Sequence, residues 1–334
     1  MKNFLIQVTR YLLLLKKSIK KIVVRVSCIT KYDLIEKEHK KSFGNQHQDK
    51  IFYIIRRQPL GAGLLSNFHW VMNHIIYAIE NDYIPIVNMK NYKTYYNEKI
   101  PIEIGNIKTL NAWEYYFEQP CGYYLKDIKK AKNVILGVLN IYSITDPLEL
   151  YDKNENIIKQ YNNVVSNFMK FNQKTLEHLV KTKNTLFNGK KNILGVLYRG
   201  TDMKTAPLHY TPPSLEETVM KTLEVVKNEN FDHIFIRTEE QEAIDIFEKT
   251  FDKSKLIISN INRLKNYATG NIAVINYKNT NSVYTDGLDY LTEIYLLSQC
   301  DGIIAQKVNG TNFALGLNNN KYRYIYIFDH GRNI

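Results

Sequence analysis

Apolar and polar positions fall into a regular rhythm from residue 51 onward. "IFYIIR" (51–56) is a nearly unbroken apolar run of strand length, and "QPLGAGLLSN" (58–67) interrupts it with a glycine-bearing turn. In "SNFHWVMNHIIYAIEN" (66–81) the apolar residues Phe68, Val71, Met72, Ile75, Ile76 and Ile79 recur every three or four positions. That spacing predicts a helix with one buried stripe, and Ser66 or Asn67 is the expected N-cap. "YIPIVNM" (83–89) reads as the next strand. Strand, glycine turn, helix, strand is a βαβ unit, which closes right-handed on a parallel sheet in nearly all cases.

The pattern loosens over 90–130, where aromatic residues crowd a loop-like stretch ("NAWEYYFEQPCGYY"), and "VILGVLN" (134–140) suggests a further strand. Helical periodicity runs through 155–186. After that the alternation sharpens. Strands are expected at 193–198, 232–237, 255–259, 302–305 and 322–328, and helices fit at 214–228, 239–250, 287–299 and 310–317. The economical division is a basic N-terminal segment (1–45), a first α/β domain (46–188) and a second, Rossmann-like α/β domain (189–334).

Composition supports cores for two domains: 334 residues, 44% hydrophobic and 12% aromatic, against an ordinary domain of about 100–200 residues. The net charge of +12 is unevenly placed. Residues 1–50 hold twelve Lys/Arg and four Asp/Glu, and the first 25 hold seven basic residues and no acid. The remaining chain is only mildly basic, which removes most of the support for a nucleic-acid partner. "MKNFLIQVTRYLLLLKKSIKKIVVRV" is broken by Arg10, Lys16 and Lys17, and its apolar stretch falls short of the roughly 20 residues needed to cross a bilayer. No small-residue cleavage site follows it. Its mixture of Leu, Ile and Val with Lys and Arg fits a helix lying on an anionic membrane surface; a packed basic helix is the plainer alternative. Cys28, Cys121 and Cys300 match neither a metal-ligand spacing nor a disulfide framework and suit a reducing cytosol. The expected location is cytoplasmic, at the inner face of the cytoplasmic membrane if the basic segment anchors the chain there.

Ligands of open parallel sheets bind outside the carboxyl ends of the strands, so the polar residues just past each strand form a candidate set. The strand at 193 ends in Tyr198, Arg199, Gly200, Thr201 and Asp202; the strand at 232 ends in Arg237, Thr238, Glu239 and Glu240. The strand at 302 runs into "QKVNGTN", where Asn309, Gly310, Thr311 and Asn312 would open a helix. A helix N-terminus offers free N–H groups and partial positive charge to a phosphate, and Arg199 adds a planar, permanently charged fork. Together they describe a diphosphate site that needs no metal, and no Asp-x-Asp follows a strand. A structural salt bridge would also account for Arg199 and Asp202. Helix-dipole pairing would equally account for Glu239 and Glu240.

With these residues in view, the chain resembles the fucosyltransferase superfamily of GT-B enzymes that includes the core α1,6-fucosyltransferases, the nodulation fucosyltransferases and O-fucosyltransferase-like proteins, as a bacterial member. The family signature His-x-Arg-Arg-Thr-Asp-Lys corresponds to "LYRGTDM" (197–203). Arg199 then falls on the arginine that contacts the donor β-phosphate, while Gly200, Leu197 and Met203 replace the second arginine, the histidine and the lysine. "IRTEEQ" (236–241) resembles a strand ending in Thr-Asp-Asp, with Glu239 and Glu240 standing in for the aspartates. "LTEIYLLSQCDGIIAQKVNGTN" (291–312) places Glu293 on a guanine-contacting aspartate and Asn309 on a phosphate-contacting serine. "GAGLLSNFHWVMN" (61–73), with Gly61 and Gly63, resembles the turn and helix facing the nucleotide across the cleft.

The resemblance covers about residues 52–330 in order. It implies two Rossmann-like α/β domains facing across a cleft, and an inverting, metal-independent transfer of fucose from GDP-fucose to a hydroxyl of an oligosaccharide or lipid-linked glycan, as in bacterial surface polysaccharide synthesis. No cofactor is implied beyond the nucleotide-sugar cosubstrate. Arg199 and Asp202 are the catalytic candidates; Gly61, Gly63, Glu239, Glu240, Glu293, Asn309, Gly310 and Thr311 join Arg199 at the donor. His69, Trp113 and Glu114 are acceptor-side candidates, and Asp202, His209, Glu98 and Glu114 remain open as the base. A binding or scaffolding protein that kept the fold without the chemistry, or a transferase using another nucleotide sugar, stays as the alternative.

Overall fold

The computed structural model describes residues 38–56, 63–90, 96–137, 155–204, 209–261, 263, 282–319 and 321–333. The first half is built on a four-stranded sheet of β1 (His39–Lys41), β2 (Gln46–Ile55), β3 (Ile84–Val87) and β6 (Ala131–Leu136), in the order β1-β6-β2-β3. β2 pairs in parallel with both β3 and β6, and only the short edge strand β1 runs antiparallel. The predicted βαβ unit is present. α1 (Leu64–Glu80) links β2 to β3, and Phe68, Val71, Met72, Ile75 and Ile76 are buried as the stripe requires. Ile79, at its end, is 38% exposed and lies outside the stripe. The N-cap is Gly63 rather than Ser66 or Asn67. The helix starts a turn earlier than the polar residues suggest, and Asn67 donates its amide back to the Gly63 carbonyl at 3.2 Å.

Between β3 and β6 the aromatic stretch carries a small hairpin of β4 (Ile102–Ile104) and β5 (Ile107–Thr109). β6 replaces the strand expected at 134–140, starting earlier; residues 138–140 lie outside those described. The helical region resolves into α2 (Glu155–Phe168) and α3 (Gln173–Phe187), the latter N-capped by Asn172, which accepts from the Thr175 N–H at 2.9 Å.

The second half follows the predicted alternation closely: β7 (Ile193–Tyr198), α4 (Leu215–Asn228), β8 (His233–Thr238), α5 (Gln241–Thr250), β9 (Leu256–Ile258), α6 (Val283–Ser298), β10 (Gly302–Gln306), α7 (Asn309–Asn318) and β11 (Tyr324–Phe328). All four ladders are parallel and the order is β11-β10-β7-β8-β9. All six residues of β7 are buried, as expected for a central strand covered on both faces. β8 and β9 extend the sheet on one side of β7, β10 and β11 on the other. The direction of winding therefore reverses between β7 and β10, and the crevice at a carboxyl edge opens at such a point.

Each half keeps a core of its own on the outer face of its sheet, but the largest core is shared. One continuous apolar cluster runs from α1 and the aromatic loop into α6, α7 and the sheet of the second half. Phe68 packs edge-on against Phe117 at 4.8 Å, and both meet Phe313 of α7 at 6.5 and 6.3 Å. Tyr116 stacks on Tyr284 at 5.7 Å and donates its hydroxyl to the Tyr284 carbonyl at 3.0 Å. Aromatic pairs of this kind contribute about 0.5–1.5 kcal/mol each beyond area burial. The division near residue 188 is a division of sheets, and the packing crosses it.

Candidate functional site

β7 ends as an apolar strand at Tyr198, and the polar residues that follow gather over the winding reversal. Gln306, the last residue of β10, fixes that edge: its side chain accepts from the Arg199 N–H at 3.1 Å and donates to the Arg199 carbonyl at 2.8 Å. Strand alternation then sorts the side chains. Leu197 and Phe235 belong to the core on the α6–α7 side of the sheet, whereas Val196 and Ile236 belong to the opposite core. Two residues further along each strand, the period of two places Arg199 and Arg237 on the α6–α7 side.

There they form an alternating chain of charges. Arg199 Nε lies 3.5 Å from Glu239 Oε2, and Arg237 Nη2 donates to Glu239 Oε1 at 2.7 Å. Arg237 Nε is 3.4 Å from Glu293 Oε2, and Arg263 Nη2 is 3.7 Å from Glu293 Oε1. Thr201 donates to Glu239 at 3.3 Å and Ser259 to Glu293 at 2.5 Å. Three guanidiniums against two carboxylates leave an excess of positive charge. Arg237 and Glu293 are sealed, at 2% and 1% exposure, while the Arg199 side chain keeps 20%. Burial works against the charge on Glu239, but Arg199 and Arg237 outweigh it and hold the carboxyl below its ordinary value. For Glu293 burial prevails over Arg237, Ser259 and Arg263, and the carboxyl is raised. Removing one member of such a buried chain strands its partner, at about 3–5 kcal/mol.

The first turn of α7 closes the other side. Val308 is its N-cap and no side chain caps the turn. Thr311 donates to the Gln306 carbonyl at 2.6 Å, tying the turn to β10. Asn312 is 1% exposed, and neither atom of its amide has a hydrogen-bond partner among the described residues. Leaving a buried polar group unpaired costs about 1–3 kcal/mol. Gly310 lets the helix approach the sheet: a Cβ there would stand 3.0 Å from Ile294 and 3.2 Å from the Tyr290 hydroxyl, with Leu197 at 3.6 Å. The Tyr290 ring in turn lies over Arg237, 4.6 Å from Cζ to centroid.

The first half reaches the same place through Tyr96. Its phenol is hydrogen-bonded to the backbone of Leu64, the first residue of α1. It is raised mainly by burial, with the Tyr290 phenol adding to the rise and Arg199 opposing it. The start of α1 is thus linked to Arg199 through Tyr96, and the start of α7 through Gln306, which holds the Arg199 backbone and accepts from Thr311. Gln306, Tyr290, Arg263 and Tyr96 are absent from the sequence-derived set. Tyr290 sits three residues before Glu293 on one helix, so helical spacing could have paired them.

The other candidates have structural placements. Glu240 is 7% exposed and pairs with Lys204 at 3.7 Å. Gly63 caps α1, Asn309 opens α7, and Gly61 lies outside the described residues. Asp202 enters a short 3-10 turn (Asp202–Lys204), its side chain outside the description. Trp113 is fully buried between Phe68 and Phe117 and is not an exposed stacking platform. Glu114 is 7% exposed and accepts from Thr109 at 2.5 Å and Gln119 at 2.8 Å, which occupies it inside the first half. His69 is half-buried against Tyr161 and near Asn73 at 3.4 Å. Glu98 accepts from the Ser282 hydroxyl at 3.0 Å and the Tyr284 N–H at 2.9 Å, capping α6 across the two halves. His209 is exposed and joins the C-terminal segment through its carbonyl.

These features define an α/β protein of two mostly parallel sheets with a cationic, helix-framed site at the carboxyl edge of the second. No protein-family model matches the chain, and no curated protein matches it. Among solved structures it is similar to the NodZ alpha-1,6-fucosyltransferase soaked with GDP-fucose, at 13% identity, 80% of this chain, 93% of that chain and TM-score 0.44. It is also similar to the fucosyltransferase NodZ from Bradyrhizobium, at 12% identity, 84% and 96% coverage and TM-score 0.46. A third similar structure is POFUT1 in complex with GDP-fucose, at 10% identity, 85% and 99% coverage and TM-score 0.47.

Proposed function

We propose that the chain is a glycosyltransferase that moves a sugar from a nucleoside diphosphate to a hydroxyl of a glycan, with inversion and without a metal. The observation that carries this is Arg199. It stands at the winding reversal, its backbone clamped by Gln306, two residues before the N-cap of α7, whose first turn no side chain caps. Departure of a nucleoside diphosphate builds charge on phosphate oxygens. A fixed guanidinium and oriented N–H groups answer that charge without reorganising. Fucose carried by GDP is the donor that the sequence resemblance implies, and a bacterial surface glycan is the acceptor class. With Glu98 and Glu114 engaged elsewhere, Asp202 and His209 remain as base candidates, and Asp202 is the closer in sequence to Arg199.

The direct test is turnover of a panel of nucleotide sugars, with Arg199→Ala beside wild type. Loss of one such fixed donor typically lowers kcat by about 10²–10³-fold, and near-normal turnover in the variant would overturn the assignment. No wild-type binding of any nucleoside diphosphate would favour a scaffold.

The basic N-terminal segment, seven basic residues and no acid in 25, supports attachment to an anionic membrane surface at the cytoplasmic side. No helix among the described residues is long and apolar enough to cross a membrane. Sedimentation with phosphatidylserine vesicles should depend on residues 1–37; equal sedimentation after their removal would count against it.

A further inference from the structure

The charge balance around Arg199 raises a question that the proposed reaction leaves open. A nucleoside diphosphate carries at least two negative charges, yet Glu239 already takes part of the Arg199 charge at 3.5 Å. Arg237 is sealed between Glu239 and Glu293, and Lys307, the cation on β10's side, holds Asp329 at 2.6 Å. Arg263 is likewise held by Glu293 and Lys204 by Glu240, so a neutral donor facing the first turn of α7 would complement Arg199.

Tyr290 meets both conditions. Its ring is fixed over the Arg237 guanidinium at 4.6 Å. Its hydroxyl stands beside Gly310, 3.2 Å from where a Cβ would be, so the missing side chain lets that oxygen lie against the first turn of α7. No hydrogen bond is made by this hydroxyl among the described residues, although the residue is half-buried. The unpaired amide of Asn312 in the same turn is a second, independent sign that polar ligand atoms belong there. Building on the transferase reading, we infer that Tyr290 is a donor-site residue whose hydroxyl donates a hydrogen bond to a phosphate oxygen of the nucleoside diphosphate beside Arg199. Burial holds the phenol above its ordinary value, with Arg237 and Arg199 opposing and Glu239 and Glu293 adding to the rise. The group therefore stays protonated at neutral pH and acts as a donor. The stacked Arg237 polarises it without contacting the ligand.

The test is Tyr290→Phe in the full chain. The variant keeps the ring on Arg237 and removes an oxygen that has no internal partner. Calorimetry with GDP, UDP and the matching monophosphates reads the effect. A hydrogen bond to a charged group predicts roughly tenfold weaker diphosphate binding, with monophosphate binding and thermal stability little changed. Equal weakening of both, or no weakening of the diphosphate, overturns the role of Tyr290 while leaving the transferase reading standing. Failure of wild type to bind any of the four nucleotides overturns both.

Discussion

At the residue scale, Gly200 is the most informative position in the site. It follows Arg199 directly, where the resembled family keeps a second arginine, and the ends of three side chains crowd its α-carbon. A Cβ would collide with Glu240 and come within 2.5 Å of the Tyr198 hydroxyl and 2.7 Å of Lys204 Cε. All three are side-chain ends that can move, but Tyr198 and Glu240 are buried at 1% and 7% exposure, so moving them carries a cost. Gly200→Ala should therefore lower stability by about 1–2 kcal/mol, read as a shift in the urea midpoint at unchanged slope. An unchanged midpoint would show that the pocket above Gly200 is open. The same crowding means that restoring an arginine there would not simply restore a second cation.

At the scale of elements, the second sheet was readable from the sequence because its central strands β7, β8 and β10 are buried on both faces. Continuous apolar runs of five or six residues, separated by amphipathic helices, leave little ambiguity. Helix ends were less readable. α1 begins at a glycine with no side-chain cap, so the polar residues Ser66 and Asn67 pointed a turn too late. α6 begins at Val283 rather than 287: Ser282 caps it, accepting from the Thr285 N–H at 3.2 Å, and Glu98, almost two hundred residues away, accepts from the Tyr284 N–H at 2.9 Å. Ser282 is a local cap signal, whereas an acceptor brought in from a distant segment leaves none in the sequence. Glu98 shows the same limit on chemistry: an acid that looked available as a base is used by a helix N-terminus.

At the scale of the whole molecule, the shared core has a consequence. Phe68, Phe117 and Tyr116 of the first half pack on Phe313 and Tyr284 of the second, and Gly316 of α7 lies 2.8 Å, by its Cβ position, from Tyr161 of α2. Residues 46–188 expressed alone would expose this surface. They should bind a hydrophobic dye and unfold without a sharp transition, whereas the full chain melts cooperatively. A cooperative melt of the fragment would show that the halves are independent domains. The sequence division near residue 188 falls between the two sheets, since each sheet has its own strand pattern. For the aromatic loop at 112–117 sequence offered both packing and a sugar-stacking wall, with packing the commoner case, and the buried Trp113, Tyr116 and Phe117 show packing.

Sequence alone determined the alternation of strands and helices in the second half and the gathering of Arg199, Glu239 and Asn309 at strand ends. Those features follow from local periodicity and from the rule that ligands meet parallel sheets at their carboxyl edges. Only tertiary structure decided which polar groups remain available. It consumed Glu98, Glu114 and Glu293 in caps and ion pairs and buried Trp113. It also brought Tyr290 and Tyr96 to Arg199. Availability depends on what each charge or hydroxyl finds across the fold, and burial makes every such group take a partner wherever one is within reach.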